Sequence, residues 1–154
     1  MHKGEYPDAF FSNFEAQNEN MIQRIQSLYF FLSILISGVL AFFLSFFAGN
    51  DGPLMLHQYP IFMAGFLIIA VLSLMALISF KKRRNQVVYG RLAILVAFIT
   101  FGFMLYHWYD NYQGEASRLG TGVFLPLIIV VLLSMANRAV MNDEAKVQAA
   151  DRFR

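Results

Sequence analysis

Two histidines, His57 and His107, sit just outside long apolar runs, and His107 is followed three residues later by Asp110. On a helix that spacing puts the imidazole and the carboxylate on one face, an arrangement that can serve a divalent metal such as zinc. A metal site needs a third ligand from another segment. His57 is the histidine placed to supply it, with Glu115 a further acid in the same region. His57, His107 and Asp110 are therefore the metal candidates, although interfacial residues in headgroup water produce the same letters. The expectation is no metal, no catalytic residue and no cofactor. With no Cys in the chain there is no disulfide, thiolate nucleophile, iron–sulfur cluster or Cys-based zinc site. No nucleophile elbow, HExxH, P-loop or dinucleotide fingerprint is present. Gly120-Thr121-Gly122 is too short for a phosphate loop and reads as a turn.

Two polar segments remain as binding candidates. Lys81-Lys82-Arg83-Arg84 lies between two apolar runs, where positive charge fixes orientation. It can also hold anionic lipid headgroups, at about 1 kcal/mol per basic residue near the surface. The closing stretch carries Asn137, Arg138, Asp143, Glu144, Asp151 and Arg152, with Val140, Val147 and Phe153 interspersed. A span terminus needs only a few positive charges, so this stretch is read either as a docking surface for a partner or as a solvated helical extension.

The elements that position these residues are apolar. Hydrophobic residues make up 58% of the 154 and charged ones 14%, a surplus of apolar surface that must face lipid when soluble domains average about 45–50% and about 25%. Four runs, about 25–49, 60–80, 92–109 and 120–137, approach the roughly 20 residues a helix needs to cross a bilayer. They hold no Asp, Glu, Lys or Arg, and His only at His107. Intramembrane ionisable groups normally mark proton relays and ion-coupling sites, so a pump is disfavoured. Eleven of the twelve Lys and Arg residues fall in the termini and the loop 81–91, and only Arg118 lies on the other side. Basic residues in short loops stay cytoplasmic, so both termini are expected inside. The net charge of +2 suggests no nucleic-acid partner.

Small residues recur at helical spacing in three of the runs. Ser33, Ser37, Ala41 and Ser45 form one stripe, Ala70, Ser73, Ala76 and Ser79 a second, and Gly90, Ala93, Ala97 and Thr100 a third. In lipid, small side chains let helix backbones approach closely, so the fold class expected is an all-α membrane four-helix bundle with a cytoplasmic helix over 138–154. Asn50–Pro53 reads as a turn, and Tyr106, Trp108, Tyr109 and Tyr112 as an interfacial aromatic belt. Residues 1–20 are a polar tail or lie upstream of a start at Met21; no cleavable signal peptide is expected.

Met21-Ile22-Gln23-Arg24-Ile25-Gln26-Ser27-Leu28-Tyr29 at the opening, and Gly122, Leu125-Pro126, Ala136-Asn137-Arg138-Ala139, Asp143-Glu144 and Asp151-Arg152-Phe153-Arg154 at the close, carry a resemblance. Over 21–154 the chain resembles a family of four-span inner-membrane proteins of Bacteroidota, domain of unknown function family 4293. The resemblance implies a bundle in the bacterial inner membrane and supplies no activity. Val140-Met141-Asn142 stands where the resemblance leads one to expect a more basic stretch.

The leading expectation is a non-enzymatic accessory or structural subunit, partnered by the bilayer and by another membrane protein or a second copy of itself. A carrier or channel for a neutral or lipid-like molecule, lined by Ser33, Ser37, Ser73, Thr100, Ser134 and Asn137, is the alternative. A membrane enzyme or metal site using His57 and His107 is the third.

Overall fold

The computed structural model describes the backbone of residues 25–152, with side chains through residue 142 and at residue 145. The expectations for residues 1–20, for Arg24 and for the side chains of Asp143, Glu144, Asp151 and Arg152 lie outside the described residues. Among the described residues, four helices are long and apolar enough to cross a membrane: α1 (Ile25–Phe43), α2 (Pro60–Ile78), α3 (Arg83–Tyr112) and α4 (Leu125–Arg152). At 1.5 Å per residue α2 is about 28 Å long, α3 about 45 Å and α4 about 42 Å.

The helices run up and down as an antiparallel bundle. α3 packs on both α2 and α4. Gly65 of α2 faces Thr100 of α3, Gly90 of α3 faces Asn137 of α4, and Gly38 of α1 faces Ala70 of α2. The core is built from Phe30, Phe66, Ile69, Ala76, Ala93, Ala97, Met104, Ile129, Leu133 and Ala136, all fully buried. Ile61, Val71, Ile78, Leu95, Phe98, Phe103 and Val131 project outward, an apolar coat with no reason to exist in water.

Interior hydroxyls bond locally. Ser33 and Ser73 pair across α1 and α2 at 3.1 Å, Ser37 donates to the Ser33 carbonyl at 2.7 Å, and Thr100 donates to that of Val96 at 2.8 Å. Ser37 lies in a π-helical turn, Ile36–Leu40, and a hydroxyl bonded to the carbonyl four residues back loosens a helix in this way.

Two expectations are corrected. The first span does not reach Gly49: α1 stops at Phe43, and Ser45–Gly49 forms strand β1, paired antiparallel with β2 (Gly52–Met55). Ser45 therefore leaves the small-residue stripe. Asn50-Asp51 makes the turn, with Gly52 at φ +132, a conformation that resists a Cβ. The register slips between Ser45 and Phe47. Normal pleating would turn Phe46 and Phe47 to opposite faces, whereas the bulge lets both point inward, and both are fully buried. The second correction concerns the segment 81–91, which is mostly helix. α3 begins at Arg83, one residue past a short 3-10 turn, Ser79–Lys81, because nothing between Arg83 and Arg91 opposes helix apart from Gly90.

Candidate functional site

The end of the bundle opposite the hairpin is basic. Lys81, Lys82 and Arg84 are exposed, with the Lys81 ammonium 5.9 Å from the centroid of the Phe80 ring. Arg83 differs. It is half-buried and, with Gln26, Ser27, Phe80 and Gln86, lines a small polar pocket of about 80 Å³ between α1 and the α2–α3 corner. Gln26 and Gln86 are 6% and 3% exposed, unusual for carboxamides at a helix end. Arg83 has no acidic partner among the described residues, whose one ion pair is Arg118–Glu115.

One turn deeper on α3 than Gln86 lies Gly90, and the Asn137 amide fills the place where its Cβ would be. Asn137 is 6% exposed, and neither amide atom has a partner among the described residues. A buried amide without partners costs about 1–3 kcal/mol. Gly90→Ala should lower stability by about 1–2 kcal/mol through collision with that amide. Gly90→Ala combined with Asn137→Ala should recover most of the loss, a coupling of about 1–2 kcal/mol. Thermal unfolding of the four proteins in detergent measures this; an equal Gly90→Ala loss on both backgrounds would show that the amide is not what Gly90 makes room for.

The hairpin end is closed by aromatic rings. Phe47 packs against Tyr59, Phe62, His107 and Tyr112 at centroid distances of 5.4, 6.2, 5.3 and 5.8 Å, and Phe46 meets Phe66 edge-on at 5.6 Å. His107 sits in this cage, 5.1 Å from Tyr59 and 5.6 Å from Phe62. Asn111 Nδ2 donates to the His107 carbonyl at 2.9 Å and lies 3.1 Å from His107 Nδ1. A carbonyl only accepts, so the amide orientation is fixed. Nδ1 is then the acceptor, and the neutral ring carries its proton on Nε2. Burial first, then a hydrogen bond with Tyr112, raise the Tyr59 phenol well above the usual tyrosine range.

His57 and Asp110 are exposed, and no group of three His, Asp or Glu side chains capable of holding a metal forms among the described residues. One His107 nitrogen is already engaged by Asn111. Arg118 instead ties the outer loop to the hairpin, 3.2 Å from the Ala48 carbonyl and 3.4 Å from Glu115. Of the carrier lining, Ser134 faces outward, while Ser33, Ser37, Ser73, Thr100 and Asn137 are buried.

Of the residues singled out in the sequence, Ser33, Ser37, Ala41, Ala93 and Ala97 lie in the bundle interior. Asn137 is buried and Arg138 exposed. Gln26, Gln86 and Gly90 were not singled out as a polar set. Their signal was present: Gln86, Gly90, Ala93, Ala97, Thr100 and Met104 continue one stripe at spacings of three and four, so Gln86 had to face inward.

Four apolar helices closed at one end by an aromatic hairpin and ringed with basic residues at the other define a multi-pass membrane protein. More particularly, the chain belongs to the family described as Domain of unknown function (DUF4293), whose model matches residues 22–153. No curated protein and no solved structure matches it.

Proposed function

We propose that this chain is a non-enzymatic accessory or structural subunit of a larger assembly in the bacterial inner membrane, with both termini in the cytoplasm. The observation that carries the reading is α4. Its apolar stretch ends at Asn142, yet the helix continues to Arg152, about 15 Å beyond the apolar part at 1.5 Å per residue. A helix of mixed charge that runs on past the apolar stretch offers a surface to a partner. The interior supports the same reading, because its hydroxyls are bonded to one another or to backbone. The basic end, which carries Lys81, Lys82, Arg83, Arg84, Arg91 and Arg138, supports that orientation.

The test is purification from the native membrane in mild detergent, comparing the full chain with one ended after Asn142. A stoichiometric partner should accompany the full chain and be lost, at least about tenfold, from the shortened one, consistent with removing a whole interface. A homo-oligomer that survives the truncation would move the interface into the bundle. A clean monomer, with nothing captured by crosslinking in cells, would end the proposal. A reporter fused after Arg154 that is active only in the periplasm would invert the orientation.

A further inference from the structure

We infer that the pocket between Gln26, Arg83 and Gln86 is the seat of a phosphate-bearing anionic lipid headgroup, a site distinct from the diffuse attraction of the exposed lysines. The rim is basic: among the described residues Lys81, Lys82, Arg83, Arg84, Arg91 and Arg138 have no acidic partner. Of the first four, only Arg83 turns into the protein and lines the pocket. There it meets the buried carboxamides of Gln26 and Gln86 and the hydroxyl-bearing Ser27.

Gln86 is 3% exposed and lines the pocket, and its amide makes no hydrogen bond among the described residues. A buried amide in that state calls for a ligand or water. The pocket's 80 Å³ is several times what one water needs, room for a compact tetrahedral group. The chemistry favours an anion with several acceptor oxygens, because the Arg83 guanidinium and the Gln86 amide N–H groups are donors and the guanidinium fork suits phosphate. α3 also begins at Arg83, so its first free backbone N–H groups and its positive dipole end lie at the same place.

A lipid is the source that fits the surroundings. Phe80 lines the pocket and is 60% exposed, on a bundle end whose neighbouring outward residues, Ile78 and Val88, are apolar. A headgroup seated there leaves its acyl chains along the apolar coat of α1 and α2. The inference is independent of the subunit proposal, since it concerns the isolated chain and its bilayer.

The full chain, purified in a neutral detergent, is titrated with phosphatidylglycerol, with phosphatidylcholine and with inorganic phosphate, and bound lipid is counted by native mass spectrometry. Phosphatidylglycerol should bind at least about tenfold more tightly than phosphatidylcholine. Arg84→Gln and Lys82→Gln should each cost about two- to fivefold, as exposed charges do. Arg83→Gln should cost about twentyfold, and Gln86→Leu, which keeps the bulk and drops the amide, about fivefold. Unchanged thermal unfolding separates these losses from misfolding, and Arg83→Lys should recover only part of the affinity because it restores charge without the fork. Equal losses at 82, 83 and 84 would overturn the seat in favour of diffuse attraction, as would equal binding of the two lipids. Displacement of the lipid by millimolar inorganic phosphate would reassign the pocket to a soluble anion and overturn the lipid.

Discussion

Gly120→Val should cost more than about 3 kcal/mol and strip most of the folded protein from the membrane. The reason is backbone against backbone. A Cβ at Gly120 would meet the Ser45 carbonyl oxygen, with the Ser45 and Phe46 carbonyl carbons at 2.7 and 2.8 Å. None of these atoms can rotate away as a side chain does. The close approach exists because the Gly120 N–H donates to the Phe46 carbonyl at 2.8 Å while Leu119 bridges to Phe47. The loop before α4 thus acts as a third strand on the free edge of β1, satisfying a carbonyl that would otherwise be buried unpaired. Gly102→Ala is the matched control. Nothing lies within 4 Å of a Cβ there, and an exposed mid-helix alanine should be neutral or stabilising by up to about 1 kcal/mol. Thermal unfolding in detergent with yield of monodisperse protein reads both. A Gly120→Val protein that melts with the parent would mean the loop does not lie against β1.

The helices were legible in the sequence because hydrocarbon imposes one requirement, length without charge, that a chain satisfies in plain view. The small-residue stripes were legible because close approach selects residue size at a fixed period. The hairpin was not. Ser45-Phe46-Phe47-Ala48-Gly49 is as apolar as the helix before it, and an apolar run of five cannot be assigned to helix or strand by periodicity. What decides it is tertiary: the Leu119-Gly120 segment, seventy residues away, offers an edge, and the rings of Tyr59, Phe62, His107 and Tyr112 offer a cage. The basic cluster was legible as charge but not as a site. Composition treats Lys81 through Arg84 alike, and only the start of α3 at Arg83 turns one of the four inward. His107 was visible as a reactive type; that its Nδ1 would be held by Asn111, one turn on, could be read only from the helix that joins them.

Closure at the hairpin end also bears on what the bundle can do. Passage through the protein would have to displace Phe46 and Phe47, both fully buried, together with the Tyr59–Tyr112 hydrogen bond. Removing such rings costs several kcal/mol, so thermal opening of that end is rare. The basic end keeps a small polar pocket and, at Asn137, a buried amide with no partner among the described residues.

Phe47→Ala should destabilise the protein by about 3–5 kcal/mol, whereas Phe43→Ala should stay within about 0.5 kcal/mol. The contrast is informative because the two residues are four apart. Had α1 continued to Gly49, Phe43 and Phe47 would lie on one helix face and respond alike. The chain leaves helix at Leu44, where the backbone turns extended at φ −96 and ψ 146, and the two rings part. Phe43 stays 75% exposed on the apolar coat, where lipid replaces lost contacts, while Phe47 is 0% exposed. Each aromatic pair is worth about 0.5–1.5 kcal/mol beyond area burial, and Phe47 makes four such ring contacts, including the one to His107. Phe47→Leu, which keeps volume and loses the ring geometry, should fall between, at about 1–2 kcal/mol. Unfolding midpoints of the three variants in one detergent decide the matter. Similar losses at 43 and 47 would restore the continuous helix and remove the hairpin from the fold, whereas a large loss confined to 47 fixes the end of α1 at the point where the chain folds back over the bundle.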